Sequence, residues 1–264
     1  MTTPRAAPPG RIDVVVVGSG TVALQPDRVC AGYYVETNGH RILLDCGPGT
    51  PHQLARFGLP WSVISHIALS HFHTDHMAGL PLLLFAMRHG LRKPRRDVLH
   101  IAGPVGCLSL LERLADAFGD YMRDPGFPLD VEELDDGDVW ELDGDTRVRS
   151  RRTPHTESSV AFRIETSHAR IGYTGDTGVS EDLADFFHDV DLLIAECSLP
   201  DEESIDSHLT PTRLAALARG ASPRRLLVTH VYPQLASRDL PALIRAAGWE
   251  GNVELAHDGM RLSL

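Results

Sequence analysis

The sequence predicts an α+β fold in which two β-sheets pack face to face with helices on both outer sides. Three observations predict it. Strand-like and helix-like runs alternate in blocks, strands then helices and then strands and helices again, the order expected of packed sheets with helices outside. Several strands are continuous apolar runs of the kind buried on both faces, such as Val14–Val17 and Leu192–Ala195. Histidines and aspartates recur at strand ends, in Pro/Gly or small-residue loops.

Residues 1–10 are Thr/Pro/Ala-rich and are expected to be a disordered tail, leaving 11–264 as a single domain. A strand over Arg11–Val17 ends in the Gly18-Ser19-Gly20-Thr21 turn. A second strand, Val29–Thr37, and a third, Arg41–Leu44, are joined at Asn38-Gly39, a type I′ hairpin pair. Gly47-Pro48-Gly49 opens a helix over 51–57. Apolar residues over 63–69 read as a strand, and Met77 to about Gly90 as one buried helix. After a basic run, Arg88–Arg96, come a strand over 98–102 and an amphipathic helix over 105–118. Short strands follow near 129–134, 139–142 and 146–152, the last placing Arg147, Arg149 and Arg151 on one face. Residues 159–165 and 170–173 form a hairpin. Helices over 181–188, 210–219 and 240–247 alternate with buried strands over 192–196 and 225–229, and two short strands close the chain.

Composition excludes several function classes. With 42% hydrophobic and 23% charged residues, the chain is an ordinary globular protein. Its net charge of −11 works against a general polyanion or anionic-membrane binder. The four cysteines form no C-x-x-C pair and read as reduced core residues. No apolar run approaches the roughly 20 residues of a membrane span, and the first ten residues lack the apolar core of a secretory signal. The expected location is the cytoplasm.

The chemistry gathers around His71-Phe72-His73-Thr74-Asp75-His76, on a loop between a strand and a helix. His71 and His73, two apart on extended chain, can face one ion; Asp75 and His76, where the chain turns into a helix, can face a second. Imidazole and carboxylate together suit zinc, whereas hard ions favour oxygen alone. His155, Asp176 and His230 also sit at strand ends and are expected to join the same site. A lone histidine is more often a surface or satisfied core residue, and Asp176 could simply cap the helix after it, but Ser180 is the better cap. Glu196 ends a buried strand and needs a partner. His208 could supply one and so become a proton donor. Asp45, ending the third strand, is expected to orient a ligand histidine. The remaining histidines read as ordinary.

His71-x-His73-x-Asp75-His76, followed by His155, Asp176 and His230, resembles the metallo-β-lactamase superfamily over almost the whole chain. Within it, Asp45–Leu54, Leu193-Ile194-Ala195-Glu196-Cys197, Ser207-His208-Leu209-Thr210 and Leu227-Val228-Thr229-His230 resemble segments of ribonuclease Z and related zinc phosphodiesterases. That resemblance implies an αββα four-layer sandwich and two zinc ions per chain, with manganese or iron able to take their place. One ion would be held by His71, His73 and His155, the other by Asp75, His76 and His230, with Asp176 bridging. Asp75, Glu196 and His208 are the catalytic residues it implies, acting with a metal-bridging hydroxide. The implied substrate is a small phosphodiester, such as a cyclic nucleotide, or an RNA 3′ end, and homodimers are common among such proteins.

The sequence departs from the resemblance in two places. Ala195 stands where the family's His-Glu-Ala-Thr segment begins with histidine. The long Gly/Pro-rich arm that grips tRNA in bacterial ribonuclease Z is also absent, because only a hairpin separates His155 from Asp176; with the net charge of −11 this counts against tRNA and favours small phosphodiesters such as cyclic nucleotides. Two rivals follow: a lactone, thioester or β-lactam hydrolase on the same fold, which the Glu196–His208 pair counts against, and a metal-free binding protein, which the full ligand set counts against.

Overall fold

The computed structural model describes residues 10–264; the expected tail lies outside the described residues except for Gly10, which forms a turn. The first sheet contains β1 (Ile12–Gly18), β2 (Gly32–Thr37), β3 (His40–Leu44), β4 (His66–Ala68), β5 (Leu99–Pro104) and β6 (Leu129–Leu134) in chain order. The second contains β7 (Val139–Glu141), β8 (Arg147–Arg152), β9 (Val160–Glu165), β10 (Arg170–Tyr173), β11 (Leu192–Glu196), β12 (Arg225–Thr229) and β13 (Asn252–Leu255), again in chain order. The last strand, β14 (Arg261–Ser263), returns to pair antiparallel with β1. Both sheets are mixed: β3 to β6 run parallel, as do β10 to β13, while the remaining pairs are antiparallel.

Three apolar cores separate four layers. Val14, Val16, Tyr33, Ile42, Phe162 and Ile194 belong to the core between the sheets. The alternate side chains of the first sheet, including Val15, Val17, Leu43 and Ile67, pack outward against α1 (Thr50–Arg56), α3 (Leu80–His89) and α4 (Cys107–Phe118). On the other side Leu193, Ala195, Leu226 and Val228 pack under α5 (Glu181–Phe186), α6 (Pro211–Ala221) and α8 (Leu240–Ala246). This is the αββα sandwich. The valine run of β1 is buried on both faces because it contributes to two of these cores. Asn38 and Gly39 both have positive φ, as the type I′ turn requires. All four cysteines are free and buried. No helix of the described residues is long and apolar enough to cross a membrane.

Two expected elements are corrected. The strand over 63–69 is only His66–Ala68, preceded by a 3₁₀ turn at Trp61–Val63. The helix over 77–90 is two helices, α2 (Thr74–Met77) and α3, broken at Gly79. The break has a packing cause: Gly79 N–H donates to Cys46 O, and a β-carbon at Gly79 would lie 2.4 Å from Gly47 O. The chain turns there to hold α2 against the end of β3. A short helix, α7 (Pro233–Ala236), was not expected.

Candidate metal centre

Parallel strands put their C-terminal ends on one side, and the loops leaving them carry the site. His71 and His73 follow β4, Asp75 and His76 lie on α2, His155 follows β8, and Asp176 follows β10. Glu196 is the last residue of β11, His208 precedes α6, and His230 follows β12. All nine are brought together. Ligand-capable atoms of His71, His73, His155 and Asp176 form one cluster, and those of Asp75, His76 and His230 a second. Asp176, His208 and His230 form a third, each within 4.8 Å internally. Ser180 occupies the N-cap position of α5, while Asp176 turns into the cage.

The outward nitrogen of most of these rings is occupied, which aims the other inward. His76 Nδ1 lies 2.7 Å from Asp45 Oδ2, His71 Nδ1 3.0 Å from Ser70 Oγ, His155 Nδ1 2.9 Å from Ser207 O, and His230 Nδ1 3.0 Å from Ser198 Oγ. The inward atoms crowd one another. His76 Nε2 is 3.3 Å from His230 Nε2, and His155 Nε2 is 3.0 Å from His73 Nδ1. His71 Nε2 and Asp176 Oδ1 are buried with no hydrogen-bond partner among the described residues. Nitrogen lone pairs converging on unpartnered buried atoms would be costly unless a cation lay between them. The donor set, imidazole with carboxylate, therefore fits a divalent metal.

Electrostatics agree with that fit. Burial opposes a charge on Asp176, yet His230, His76 and His71 around it outweigh burial and hold its carboxyl well below the usual range. Burial, with His76 nearby, pushes His71 far down, leaving the ring neutral, the form that could ligate a cation. Burial also works against charge on His76, but Asp176 and Asp45 raise it well above the ordinary value. A metal entering there would displace a proton.

Beside the cage, Glu196 is fully buried. Its Oε1 accepts from Thr177 N–H and faces His208 Nδ1 at 2.8 Å; its Oε2 accepts from the Ser198 hydroxyl and backbone and from Leu209 N–H. Burial would lower the His208 pKa, but the bond to Glu196 and its charge raise it, favouring the protonated ring. That ring faces His155 and His230, with centroids 4.8 and 6.1 Å away.

Three supporting residues were not found from sequence. Ser198 Oγ joins Glu196 to His230. Tyr173 donates its hydroxyl to Asp45 Oδ2 across the sandwich, and Ser70 donates to both Asp45 oxygens. Ser198 follows a strand-end glutamate by two residues, a weak local signal. Tyr173 is 128 positions from Asp45 and has none.

A buried His/Asp cage at the strand ends of an αββα sandwich defines a metallo-hydrolase. Residues 40–231 match the family model of the beta-lactamase superfamily domain, and the chain belongs to that family. Within it, the chain is ribonuclease Z-like. It is 28% identical to a ribonuclease Z of Haloferax volcanii, over 94% of this chain and 93% of that one. Human tRNase Z, short form, superposes with a TM-score of 0.78 at 26% identity, covering 95% of this chain and 98% of that structure. The metallo-beta-lactamase fold protein YhfI from Bacillus subtilis superposes with a TM-score of 0.82 at 21% identity, covering 96% and 99%, a likeness of fold.

Proposed function

We propose that the chain is a phosphodiesterase with two zinc ions, hydrolysing an RNA 3′ end or a small phosphodiester. The observation that carries this reading is the Glu196–His208 pair, bonded at 2.8 Å beside the cage. Hydrolysis of an unactivated phosphodiester needs a proton for the leaving alkoxide, and a histidine held protonated by a buried carboxylate supplies it. The relatives named ribonuclease Z and tRNase Z support the same reaction class.

In this reading His71, His73 and His155 would hold one ion and Asp75, His76 and His230 the other, with Asp176 available to both. When bound, such ions lower the pKa of coordinated water towards about 7 and neutralise charge on phosphoryl oxygens. The protein does the rest. Asp45, Ser70, Ser207 O and Ser198 fix four ring orientations. Glu196, both oxygens filled by donors, holds His208 so that Nε2 is the atom free to give a proton to the leaving oxygen.

The test is a rate panel with zinc-loaded protein: bis-p-nitrophenyl phosphate, a cyclic nucleotide, a 3′-extended tRNA precursor, a lactone and a chromogenic cephalosporin. Phosphodiesters should lead by orders of magnitude. Faster turnover of the lactone or cephalosporin would overturn the reading.

A further inference from the structure

The basic run Arg88–Arg96 plays no part in the metal centre. It begins in the last turn of α3 and continues into the connection to β5. β4 and β5 are parallel, and the centre follows the C-terminal end of β4, so this loop lies at the opposite end of the sheet. The six residues of β5 span about 20 Å at ~3.3 Å each.

The loop is built rather than loose. Buried Arg95 donates to the carbonyls of Asp97, Ser62 and Val98, and its guanidinium sits 5.2 Å from the centre of the Phe127 ring. With Arg95 fixed, Arg92, Lys93 and Arg96 are exposed around a cavity of about 580 Å³ whose one carboxylate is Asp97. None of these four cations makes an ion pair among the described residues. In the other basic stripe Arg147 pairs with Glu165 and Arg151 with Asp136, leaving only Arg149 without an ion pair among the described residues. Lys93 is the one lysine in the sequence.

We infer that this loop is a binding site for the phosphate backbone of RNA, distant from the cleaved bond. A chain of net charge −11 repels a long polyanion unless a local patch holds it. With at least the length of β5, about 20 Å, between it and the centre, the loop is out of reach of a mononucleotide bound there, whereas a substrate many nucleotides long can span both. It therefore selects RNA over small phosphodiesters, a narrowing that rests on the phosphodiesterase reading.

The lone lysine gives a direct test on the unmodified protein. Lys93 is acylated with an amine-reactive ester, and the extent is read by peptide mass, alone and with a 3′-extended tRNA precursor, a cyclic nucleotide or an acidic peptide. The precursor should protect Lys93 at least about fivefold; the cyclic nucleotide should not. In R92A/K93A/R96A, which keeps the Arg95 anchor, the salt slope of single-stranded RNA binding should fall by about 2, from three lost contacts at ~0.7 each. KM for the precursor should rise about tenfold, with the bis-p-nitrophenyl phosphate rate unchanged. Unaltered RNA binding by the variant, or protection by the acidic peptide alone, overturns the inference. Failure of the wild type to cleave any phosphodiester would instead strike the proposed activity, since protection and salt slope are read without turnover.

Discussion

Glu196 and His208 stand twelve residues apart in sequence and 2.8 Å apart in space, the carboxylate fully buried and the imidazole at the edge of the metal cage. If the pair delivers the proton to the leaving group, its importance scales with how much that group needs one. His208→Ala should slow hydrolysis of an alkyl or ribose ester by about 10²–10⁴-fold, yet change p-nitrophenolate release by less than about tenfold. Equal losses on both would assign His208 to binding or folding instead.

Asp45 should matter to metal affinity although it lies outside the ligand-capable clusters. It accepts from Ser70 and Tyr173 and fixes His76 through Nδ1. Asp45→Asn keeps the shape and loses the charge that orients the imidazole. Under the proposed two-zinc reading, the weaker site should lose about 10–100-fold in affinity. Competition titration against a chromophoric chelator reads this, and unchanged binding of both ions would refute it.

Gly47 keeps α2 close to the end of β3. A β-carbon there would lie 2.1 Å from Asp75 O and 2.7 Å from Cys30 Cβ. Gly47→Ala should therefore cost at least about 1–3 kcal/mol and lower zinc content, since Asp75 and His76 move with that backbone. Gly144→Ala is the control: like Gly47 it has no positive φ, but nothing lies within 4 Å of the added carbon. Thermal melts with metal analysis should show loss of zinc in the first variant only.

Acid should destabilise the far end of the sandwich through His66. Its ring lies 5.0 Å from His40, 4.9 Å from His100 and 5.1 Å from Trp140, centroid to centroid, and Asp143 is the nearest influential carboxylate. Burial first, then the two neighbouring imidazoles, push its pKa down to about 3. A histidine pKa lowered by folding means the unfolded chain binds the extra proton. Its stabilising contribution is thus full above about 6.5 and lost as pH falls towards 3. Between pH 7 and 4.5 the loss should be about 2 kcal/mol. His66→Phe should flatten the acid limb of denaturant-measured stability by that amount; an identical limb in both proteins would exclude His66 as its source.

The sandwich and the cage were legible because both rest on local signals. Apolar runs such as Val14–Val17 and Leu192–Ala195 announce buried strands, and polar residues immediately after such runs announce a strand-end site. What escaped depends on partners remote in sequence. The break at Gly79 comes from its approach to Gly47. The return of β14 to β1 joins the two ends of the fold. The column of His40, His66 and His100, each read as ordinary, exists only because His66 and His100 are register neighbours on parallel strands.

Asp45 and His230 end β3 and β12, in different sheets, and both have left-handed backbones, with φ of 56° and 51°. For residues with a β-carbon that conformation costs roughly 1–2 kcal/mol each. Glycine would carry no such cost, but at position 45 it would deprive Ser70, Tyr173 and His76 of the carboxylate they share, and at 230 it would deprive Ser198 of its ring partner. Leaving those buried groups unpaired costs more than the strain relieved. Each strand end is therefore sprung: side-chain bonds hold it in a shape that its own backbone resists.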